Sequence, residues 1–381
     1  MLINYIDLKL FIQSFFNYSS LMKEYKNLRI FITGINGFKG SWLALYLHNL
    51  GAKVIGVGLK NETSEIFNKL KVYNKVKFIE CDILHFQKLK EIISQAKPDI
   101  FFHLAAQSIV SESYINPIKT LNTNIIGSAN ILELVKKLNI QSLVYITSDK
   151  CYLNKETYNP YSETDILGGI DFYSSSKACA ELVFNSYYNN FYRMKKFIKI
   201  ASARAGNVIG GGDLKAFRII PDIYRIIKKN SSNKKILFLR NPKATRPWQH
   251  VMEPVSGYML LGLKILNNEL STNLLPSWNF GPDKINCKTV ENVSKDFIKN
   301  FDKDLKIKIK NKSNKNFYES KLLFLSNKKS RKELKWKPIL NYNDTIKFTA
   351  DWYYKNLNED LSEVTKETYY QIEYFNSFYN F

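Results

Sequence analysis

The sequence predicts an α/β protein with a doubly wound parallel sheet and a smaller C-terminal lobe. Strand-like apolar runs alternate with helical patterns through the first half of the chain, and a glycine-rich turn joins the first run to the first helical pattern. Repeated strand, helix, strand order is typical of a parallel sheet with helices on both faces. With 381 residues, 45% of them hydrophobic, the chain can also bury a large core.

The strands are expected where β-branched and aromatic residues run almost without interruption, since strands of a parallel sheet are buried on both faces. Such runs occupy residues 29–34, 53–59, 77–82, 99–106, 142–148 and 197–204. Helices are expected where apolar residues recur at helical spacing, at 41–51, 125–139, 174–191 and 253–266. A further strand is expected at 277–281.

Composition narrows the class of protein. The net charge is +22, from 56 basic and 34 acidic residues, but the chain has neither zinc-finger spacing nor an RNA-binding signature, so a lysine-coated surface is favoured over a nucleic-acid binder. The four cysteines stand far apart, which predicts neither disulfides nor a metal site. No apolar run approaches the roughly 20 residues of a membrane helix, and the N-terminus lacks a leader pattern. We expect a soluble cytoplasmic protein.

The segment "RIFITGINGFKGSWLALYL" (29–47) predicts a dinucleotide site. Gly34 would make the turn after the strand, Gly37 would admit the phosphates and Gly40 would let helix and strand pack closely. The pyrophosphate would then lie at the positive end of the helix. The residues assigned to the cofactor in this turn are Gly34, Asn36, Gly37, Phe38, Lys39 and Gly40.

The sequence leaves the choice between NAD and NADP open. The acidic residue expected about 20 positions on is missing, and Gly58 and Lys60 stand there. Lys60 suits a 2′-phosphate or a solvated surface equally. Asp82, followed by Ile83 at the end of the third strand, is a candidate for the adenosine, with a helix N-cap as the alternative role. NAD is expected, and NADP stays open.

The sequence predicts two main domains. Residues 28–210 are expected to form a Rossmann-type dinucleotide-binding domain, and 211–381 mainly a substrate-binding lobe, because the strand and helix alternation breaks after about residue 210. About 250–285 should return to the first domain. Residues 1–27 carry enough aromatics to pack as a helical extension.

Two further patterns indicate chemistry. In "YSSSK", Tyr173 and Lys177 are four residues apart and share one helix face, so the ammonium should lower the pKa of the phenol. In "TSDKCY", Ser148, Asp149 and Lys150 follow the fifth strand, at the edge where open parallel sheets bind ligands. All three side chains serve one site only if the strand has ended before them, because neighbouring strand residues point to opposite faces.

Six segments in order then resemble the motifs of bacterial CDP-glucose 4,6-dehydratases, in the extended short-chain dehydrogenase/reductase superfamily. They are "TGINGFKGSWL", "HLAAQSIVSESYINP", "TSDKCY", "LGGIDFYSSSKACAEL", "ARAGNVIGGGD" and "NPKATRPWQHVMEPVSGY". One departure is Ser148, where relatives carry Thr; the hydroxyl is kept. The resemblance implies an NAD-dependent lyase of deoxysugar biosynthesis for lipopolysaccharide O-antigen in bacteria, acting as a homodimer.

The resemblance also implies residue roles. Tyr173, with Lys177, would take the proton of the sugar's 4-hydroxyl, and Ser148 would hydrogen-bond the same oxygen. Lys150 would remove the C5 proton while Asp149 protonates the departing 6-hydroxyl. The resemblance places Leu104, Ala105, Ala106, Gln107, Tyr173 and Lys177 beside the cofactor, with Gln107 also near the sugar. It nominates Asn207, Arg218, Arg246 and His250 for the substrate.

Several of these roles have alternatives. Asn207 suits a turn as well as a ligand, and Arg246 and His250 suit structural roles, His250 most of all because it stands in an apolar stretch. Cytidine recognition rests on the resemblance alone. A dehydratase of GDP-mannose or a GDP-heptose is the main rival function, and a nucleotide-sugar 4-epimerase is a weaker one, because an epimerase has no need of the acid and base in "SDK".

Overall fold

The computed structural model describes residues 21–229, 236–301, 307–311 and 322–379. These residues form a seven-stranded parallel sheet, three separate two-stranded pairings, and helices on both faces of the sheet. The predicted doubly wound α/β fold is confirmed. Residues 1–20 of the expected N-terminal extension lie outside the described residues; Leu21–Tyr25 form a 3₁₀ helix, and the Tyr25 hydroxyl donates to the carbonyl of Met259 at 2.7 Å.

The described strands are, in chain order, β1 Arg29–Thr33, β2 Lys53–Gly58, β3 Lys77–Glu80, β4 Ile100–His103, β5 Leu143–Ile146, β6 Ile200–Ala205, β7 Val208–Ile209, β8 Ile236–Leu239, β9 Thr245–Pro247, β10 Gln249–His250, β11 Ser277–Phe280, β12 Cys287–Thr289 and β13 Lys308–Asn311. The main sheet has the order β11-β6-β5-β4-β1-β2-β3. The order reverses between β1 and β4, and the crevice at the carboxyl ends of such strands is where open parallel sheets bind nucleotides.

The described α-helices are α1 Phe38–Asn49, α2 Glu65–Lys69, α3 Phe86–Ala96, α4 Val110–Ile115, α5 Pro117–Leu121, α6 Gly127–Lys137, α7 Phe172–Tyr187, α8 Ile219–Lys228, α9 Met252–Leu266, α10 Val290–Phe301, α11 Tyr342–Leu357 and α12 Leu361–Ser377. Helices α3, α6 and α7 pack on one face of the sheet, while α1, α9, α11 and α12 contribute to the core on the other.

Alternate residues of the strands contribute to two hydrophobic cores, one on each face of the sheet. Ile30 and Ile32 of β1 join the core that α1 and α9 cover, whereas Phe31 between them joins the core under α3 and α6. Leu143 and Val144 of β5 divide in the same way. Because successive strand residues point to opposite faces, a strand covered on both sides must be apolar throughout, which is why the unbroken apolar runs predicted these strands.

The later part of the chain packs against the sheet and adds a strand to it. Helix α9 packs against β4, β5 and β6, and β11 pairs in parallel with β6. Strands β7 and β10 pair with each other just beyond β6, and β9 pairs antiparallel with β12. These short pairings bring residues 245–250 beside the end of β6, where the candidate site lies.

Candidate active site

The glycine turn, residues 34–40, is closed to side chains at two positions. Gly34 has a φ of +71°, and a Cβ on it would lie 2.8 Å from the main-chain nitrogen of Ala105. A Cβ on Gly40 would lie 2.1 Å from the carbonyl oxygen of Gly34. Both contacts are with backbone, which cannot move aside cheaply. Glycine is therefore required here for the close approach of β1, α1 and the loop after β4.

The same turn leaves the start of α1 open to an anion. Gly37 is the N-cap of α1, and among the described residues no side chain caps this end. The uncapped N–H groups and the helix dipole favour a negatively charged group. Asn36 faces the other way, donating to the carbonyl of Leu59 at 2.7 Å and to Thr63 Oγ1 at 3.0 Å. The turn thus fits a dinucleotide pyrophosphate, with Asn36 fixing the loop after β2 and Phe38 packing on the core.

The loop after β4 runs alongside the glycine turn. The Leu104 and Ala105 nitrogens donate to the Thr33 carbonyl and hydroxyl at 3.1 and 3.3 Å, and Ala106 is half-buried beside them. The Gln107 side chain donates to Thr120 Oγ1 at 2.8 Å and to the carbonyl of Ile109 at 3.1 Å. The Gln107 amide thus already has protein partners.

Sequence reasoning missed Asn124. This buried residue lies in a π-helical turn, Asn122–Ile126, between α5 and α6. Its side chain accepts from the Gln107 nitrogen at 2.9 Å and donates to the Gln107 carbonyl at 3.0 Å and to Ser176 Oγ at 2.9 Å. Asn124 therefore joins the loop after β4 to helix α7. An extra residue in a helical turn often marks a functional site, but apolar periodicity does not reveal it.

Residues 148–150, here called the Ser-Asp-Lys turn, follow β5. The strand ends at Ile146, and Asp149–Cys151 form a single 3₁₀ turn, so the expectation that the strand ends before these residues is confirmed. The Ser148 hydroxyl accepts from the Lys150 nitrogen at 3.2 Å and donates to Asp149 Oδ1 at 2.9 Å. Ser148 therefore fixes the shape of the turn as well as presenting a hydroxyl to the cleft.

The Asp149 carboxyl is buried, at 3% exposure. Its Oδ2 has no hydrogen-bond partner among the described residues and lies toward Gly206, where a Cβ would approach it to 3.0 Å. Burial raises the pKa of Asp149 above its usual value, and the charges of Lys150, Arg246 and Lys39 only partly oppose this. A carboxyl in such surroundings can be kept protonated and donate its proton.

Tyr173 and Lys177 lie on the first turns of α7, which Asp171 caps by accepting from the Ser174 nitrogen at 2.9 Å. The Lys177 ammonium is 5.9 Å from the centre of the Tyr173 ring. The structure corrects the expected pKa, because burial raises the pKa of Tyr173 to about 12, against the opposing effects of Ser148 and Arg218. Burial also lowers the pKa of Lys177 to about 8.

Arg218 reaches the cleft from the loop before α8. It donates to Asp213 Oδ2 at 2.7 Å and to Ser108 Oγ at 2.9 Å. Its charge acts on both Tyr173 and Lys39, which places the guanidinium over the same cleft. Asp213 and Ser108 were missed by sequence reasoning, because they lie in separate loops that meet only in the fold.

Two other substrate candidates also lie near Asp149. Arg246 is buried, donates to the carbonyl of Thr245 at 3.0 Å, and acts electrostatically on Asp149. Asn207 is half-buried directly after Gly206, and its carbonyl accepts from the Gln249 nitrogen at 3.3 Å.

His250 lies elsewhere, in the aromatic core. It is fully buried, with its ring 5.8 Å from that of Trp42 and 6.0 Å from that of Phe375. Burial lowers the pKa of His250 to about 3, so the ring is neutral. These surroundings favour the structural alternative over a contact with substrate.

The end of the sheet near β2 and β3 carries the remaining cofactor candidates. Asp82 Oδ1 accepts from the Leu84 nitrogen at 2.9 Å, whereas the N-cap of α3 is His85, so the N-cap alternative for Asp82 is wrong. Ile83 is buried against α6. Lys60, at the end of β2, forms an exposed ion pair with Glu80 at 3.1 Å.

Membrane-spanning helices and metal-binding clusters are both absent from the described residues. No helix among them is long and apolar enough to cross a membrane. Within the same ranges, no three His, Cys, Asp or Glu side chains are grouped so that they could hold a metal ion.

Comparisons with known proteins match this architecture. The CDP-glucose 4,6-dehydratase of Salmonella typhimurium is 38% identical over 331 residues, which are 85% of this chain and 90% of that protein. Two solved structures share the fold. An epimerase from Methanothermobacter thermautotrophicus has a TM-score of 0.74 at 24% identity and covers 91% of this chain and 96% of its own. The dTDP-glucose 4,6-dehydratase of Bacillus anthracis, in complex with NAD, has a TM-score of 0.69 at 21% identity and covers 89% and 99%.

The resemblance to CDP-glucose 4,6-dehydratases that the motifs indicated is thus confirmed. The sequence pattern of the family described as GDP-mannose 4,6-dehydratase matches residues 31–349. Because that match extends over the main sheet, the glycine turn and the Ser-Asp-Lys turn, the chain belongs to the GDP-mannose 4,6-dehydratase family.

Proposed function

We propose that the protein is a hydro-lyase that converts CDP-D-glucose to CDP-4-keto-6-deoxy-D-glucose and water, with NAD as its cofactor. The observation that carries the proposal is the meeting of the Ser-Asp-Lys turn with Tyr173 and Lys177 in one cleft beside the glycine turn. An oxidation needs only the second pair, whereas an elimination also needs an acid and a base. The identity with the Salmonella enzyme supports the choice of CDP-glucose.

In the first step, Tyr173 takes the proton of the 4-hydroxyl. When bound, NAD would supply the hydride acceptor for C4, the same hydride for C6, and a positive charge that favours the phenolate. Lys177 stabilises the phenolate from the same helix face. The Ser148 hydroxyl exchanges its bond to Asp149 Oδ1 for one to the oxygen that becomes the ketone. The high pKa of Tyr173, about 12, makes this nearby positive charge a requirement for proton removal.

The ketone at C4 acidifies the proton at C5, which Lys150 removes as the neutral amine. The electron pair forms the C5–C6 double bond, and the 6-hydroxyl leaves as water with the proton of Asp149. Burial, which raises the pKa of Asp149, supports this role because it favours the protonated form that can donate. After hydride returns to C6, C5 regains a proton and the 6-methyl group is complete.

Substrate and cofactor contacts follow from the same cleft. Arg218 and Arg246 would pair with the two phosphates of the sugar nucleotide, since guanidinium groups match phosphate oxygens bidentately. Asn207 would contact the nucleotide, and Gln107 the sugar and nicotinamide.

For the cofactor itself, the glycine turn with Lys39 would hold the pyrophosphate. The loop of Leu104, Ala105 and Ala106 would line the nicotinamide half of the cofactor. Asp82 and Ile83 would contact the adenine.

The test is to incubate the protein with NAD and CDP-glucose that carries deuterium at C4, and to weigh the product. We expect loss of one water and deuterium in the new methyl group. Product that lacks deuterium in the methyl group contradicts hydride return, and an unchanged mass with inverted C4 identifies an epimerase.

The family description supports a second substrate, GDP-mannose. A panel of CDP-glucose, GDP-mannose and a GDP-heptose under the same conditions distinguishes the two, because only the cytidine compound should turn over at a high kcat/KM.

The protein is proposed to act as a cytoplasmic homodimer that supplies a deoxysugar for bacterial O-antigen. Support for the dimer comes from apolar side chains exposed on α4 to α7 and the turn between α5 and α6, at 66% for Ile115, 67% for Ile118, 52% for Ile126 and 54% for Leu182. Exposed apolar faces of this kind are typical of subunit interfaces. The solution mass, with Leu182→Glu as the disrupting variant, tests this assembly.

A further inference from the structure

A buried ion pair lies behind the Ser-Asp-Lys turn. Arg204 of β6 donates to Glu181 of α7 at 2.7 Å, and the two side chains are 2% and 0% exposed. Burying two charges costs desolvation, and a buried pair is no general source of stability. A pair with many further partners can instead serve to fix geometry.

One end of the turn is tied to Glu181. The hydroxyl of Thr147, the residue before Ser148, donates to Glu181 Oε1. The other carboxylate oxygen accepts from Ser202 at 3.0 Å and from Arg204. The side chain of Thr147, directly before the turn, is therefore fixed to helix α7.

The other end of the turn is tied to Arg204. Tyr152 follows Cys151, the last residue of the 3₁₀ turn. Its hydroxyl accepts from Arg204 Nη1 at 2.7 Å and donates to Asn279 Oδ1 at 2.8 Å. The guanidinium carbon also lies 5.0 Å from the centre of the Tyr152 ring. Both flanks of residues 148–150 thus connect to the same two charges.

Tyr173 is held by different contacts. It lies on the first turn of α7, which Asp171 caps, and the hydroxyl of the neighbouring Ser176 donates to the Tyr173 carbonyl and accepts from Asn124. The main chain around Tyr173 is therefore held by contacts that do not involve Arg204.

We propose that Glu181 and Arg204 are positioning residues that hold the Ser-Asp-Lys turn, through Thr147 and Tyr152, in the geometry required for elimination at C5 and C6. This inference rests on the proposed function. Displacing a reacting group by about 1 Å can cost on the order of 100-fold in rate. Loosening the network should therefore slow elimination more than C4 oxidation, because elimination uses both Asp149 and Lys150 of the turn, whereas oxidation uses only Ser148.

Tyr152→Phe tests this with Tyr161→Phe as a matched control. The Tyr161 ring stacks on Tyr152 at 5.4 Å, but its hydroxyl bonds to Asn154 and to the Lys155 nitrogen, away from Arg204. For Tyr152→Phe we expect kcat for dehydration to fall about tenfold or more, with KM unchanged. In a single turnover, reduced nicotinamide should accumulate, because C4 oxidation outruns elimination. The control should behave as wild type.

Thr147→Val tests the opposite flank, and provides the same test if Tyr152→Phe does not fold. It removes the hydroxyl that donates to Glu181 but keeps the shape of the side chain, and should also accumulate reduced nicotinamide. Equal slowing of C4 oxidation and elimination in a folded variant, or wild-type rates, overturns the positioning role. Wild-type protein that fails to dehydrate CDP-glucose overturns the proposed function instead, so the two failures are distinct.

Discussion

The glycine turn after β1 and the Ser-Asp-Lys turn after β5 both follow strands of one parallel sheet, yet they differ in construction. The glycine turn excludes side chains at Gly34 and Gly40, since a Cβ on Gly40 would meet the Gly34 carbonyl oxygen at 2.1 Å. The Ser-Asp-Lys turn instead encloses side chains, with Asp149 only 3% exposed. Main-chain N–H groups bind a phosphate at any neutral pH, whereas a proton transfer needs groups whose pKa values burial has shifted.

This difference predicts that substitutions near the Ser-Asp-Lys turn lower the rate of turnover. Substitutions in the glycine turn should instead weaken the binding of NAD. The largest effect is expected for Tyr173→Phe, which should lower kcat on the order of 1000-fold, because no other group takes the 4-hydroxyl proton. Turnover is measured from product mass, and the affinity for NAD should change far less than kcat. Tyr187→Phe, at the other end of the same helix, is the control. Loss of NAD binding in Tyr173→Phe would break the comparison.

Asp149→Asn should lower dehydration about 100-fold, since the amide cannot supply the proton for the departing hydroxyl. Binding of CDP, measured by calorimetry, should match that of wild type. Asp165→Asn makes the same change in an exposed loop, where the carboxylate only accepts from Ser162, and should leave turnover unaltered. Wild-type turnover in Asp149→Asn would remove its role as the acid.

Two glycine variants separate folding from binding within the glycine turn. Gly40→Ala should destabilise the protein by about 1–3 kcal/mol, because its Cβ meets backbone that must shift. Gly37→Ala, whose Cβ would lie 3.3 Å from the nearest atom, should cost less than about 1 kcal/mol but weaken NAD binding about tenfold by blocking the phosphates. Thermal unfolding and NAD titration measure the two effects. Equal stability losses in both variants would contradict this division.

The smallest effect is expected from Lys39, the titrating group of the glycine turn. Burial and the charge of Arg218 lower its pKa to about 8, so the amine loses its charge as pH rises through that value. NAD affinity should fall over the same range. Lys39→Met should bind about fivefold more weakly at neutral pH, in keeping with about 1 kcal/mol for a partly screened charge pair, and should show no such pH dependence. Constant wild-type affinity from about pH 7 to pH 9 would contradict this.

The sheet could be predicted from the sequence because its strands, apart from the edge strand β3, are largely buried on both faces. The run at 142–148 predicted β5, and the structure places that strand at Leu143–Ile146. The short β7 and β10 were not predicted, because they have two residues each. Pairings that short depend on contacts between distant segments and leave no periodicity to detect.

The Ser-Asp-Lys turn was likewise visible from its place after an apolar strand, but its electrostatics were not. The raised pKa of Tyr173 follows from burial, which depends on segments far away in the chain. Arg218 has two hydrogen-bond partners, Asp213 and Ser108, and they lie in separate loops. His250 shows the same limit, since its aromatic neighbours include Phe348 and Phe375, about 100 residues further on.

Strand β11 has a consequence for the order in which the molecule matures. Its Asn279 accepts from Tyr152, and its Ser277 accepts from Arg204 at 3.3 Å. During synthesis, residues 147–205 leave the ribosome well before this edge strand exists, and parallel strands pair only after long loops have closed. A chain stopped short of residue 277 therefore lacks the partners that complete the network around Arg204. The full rate of dehydration should appear only once β11 has paired with β6.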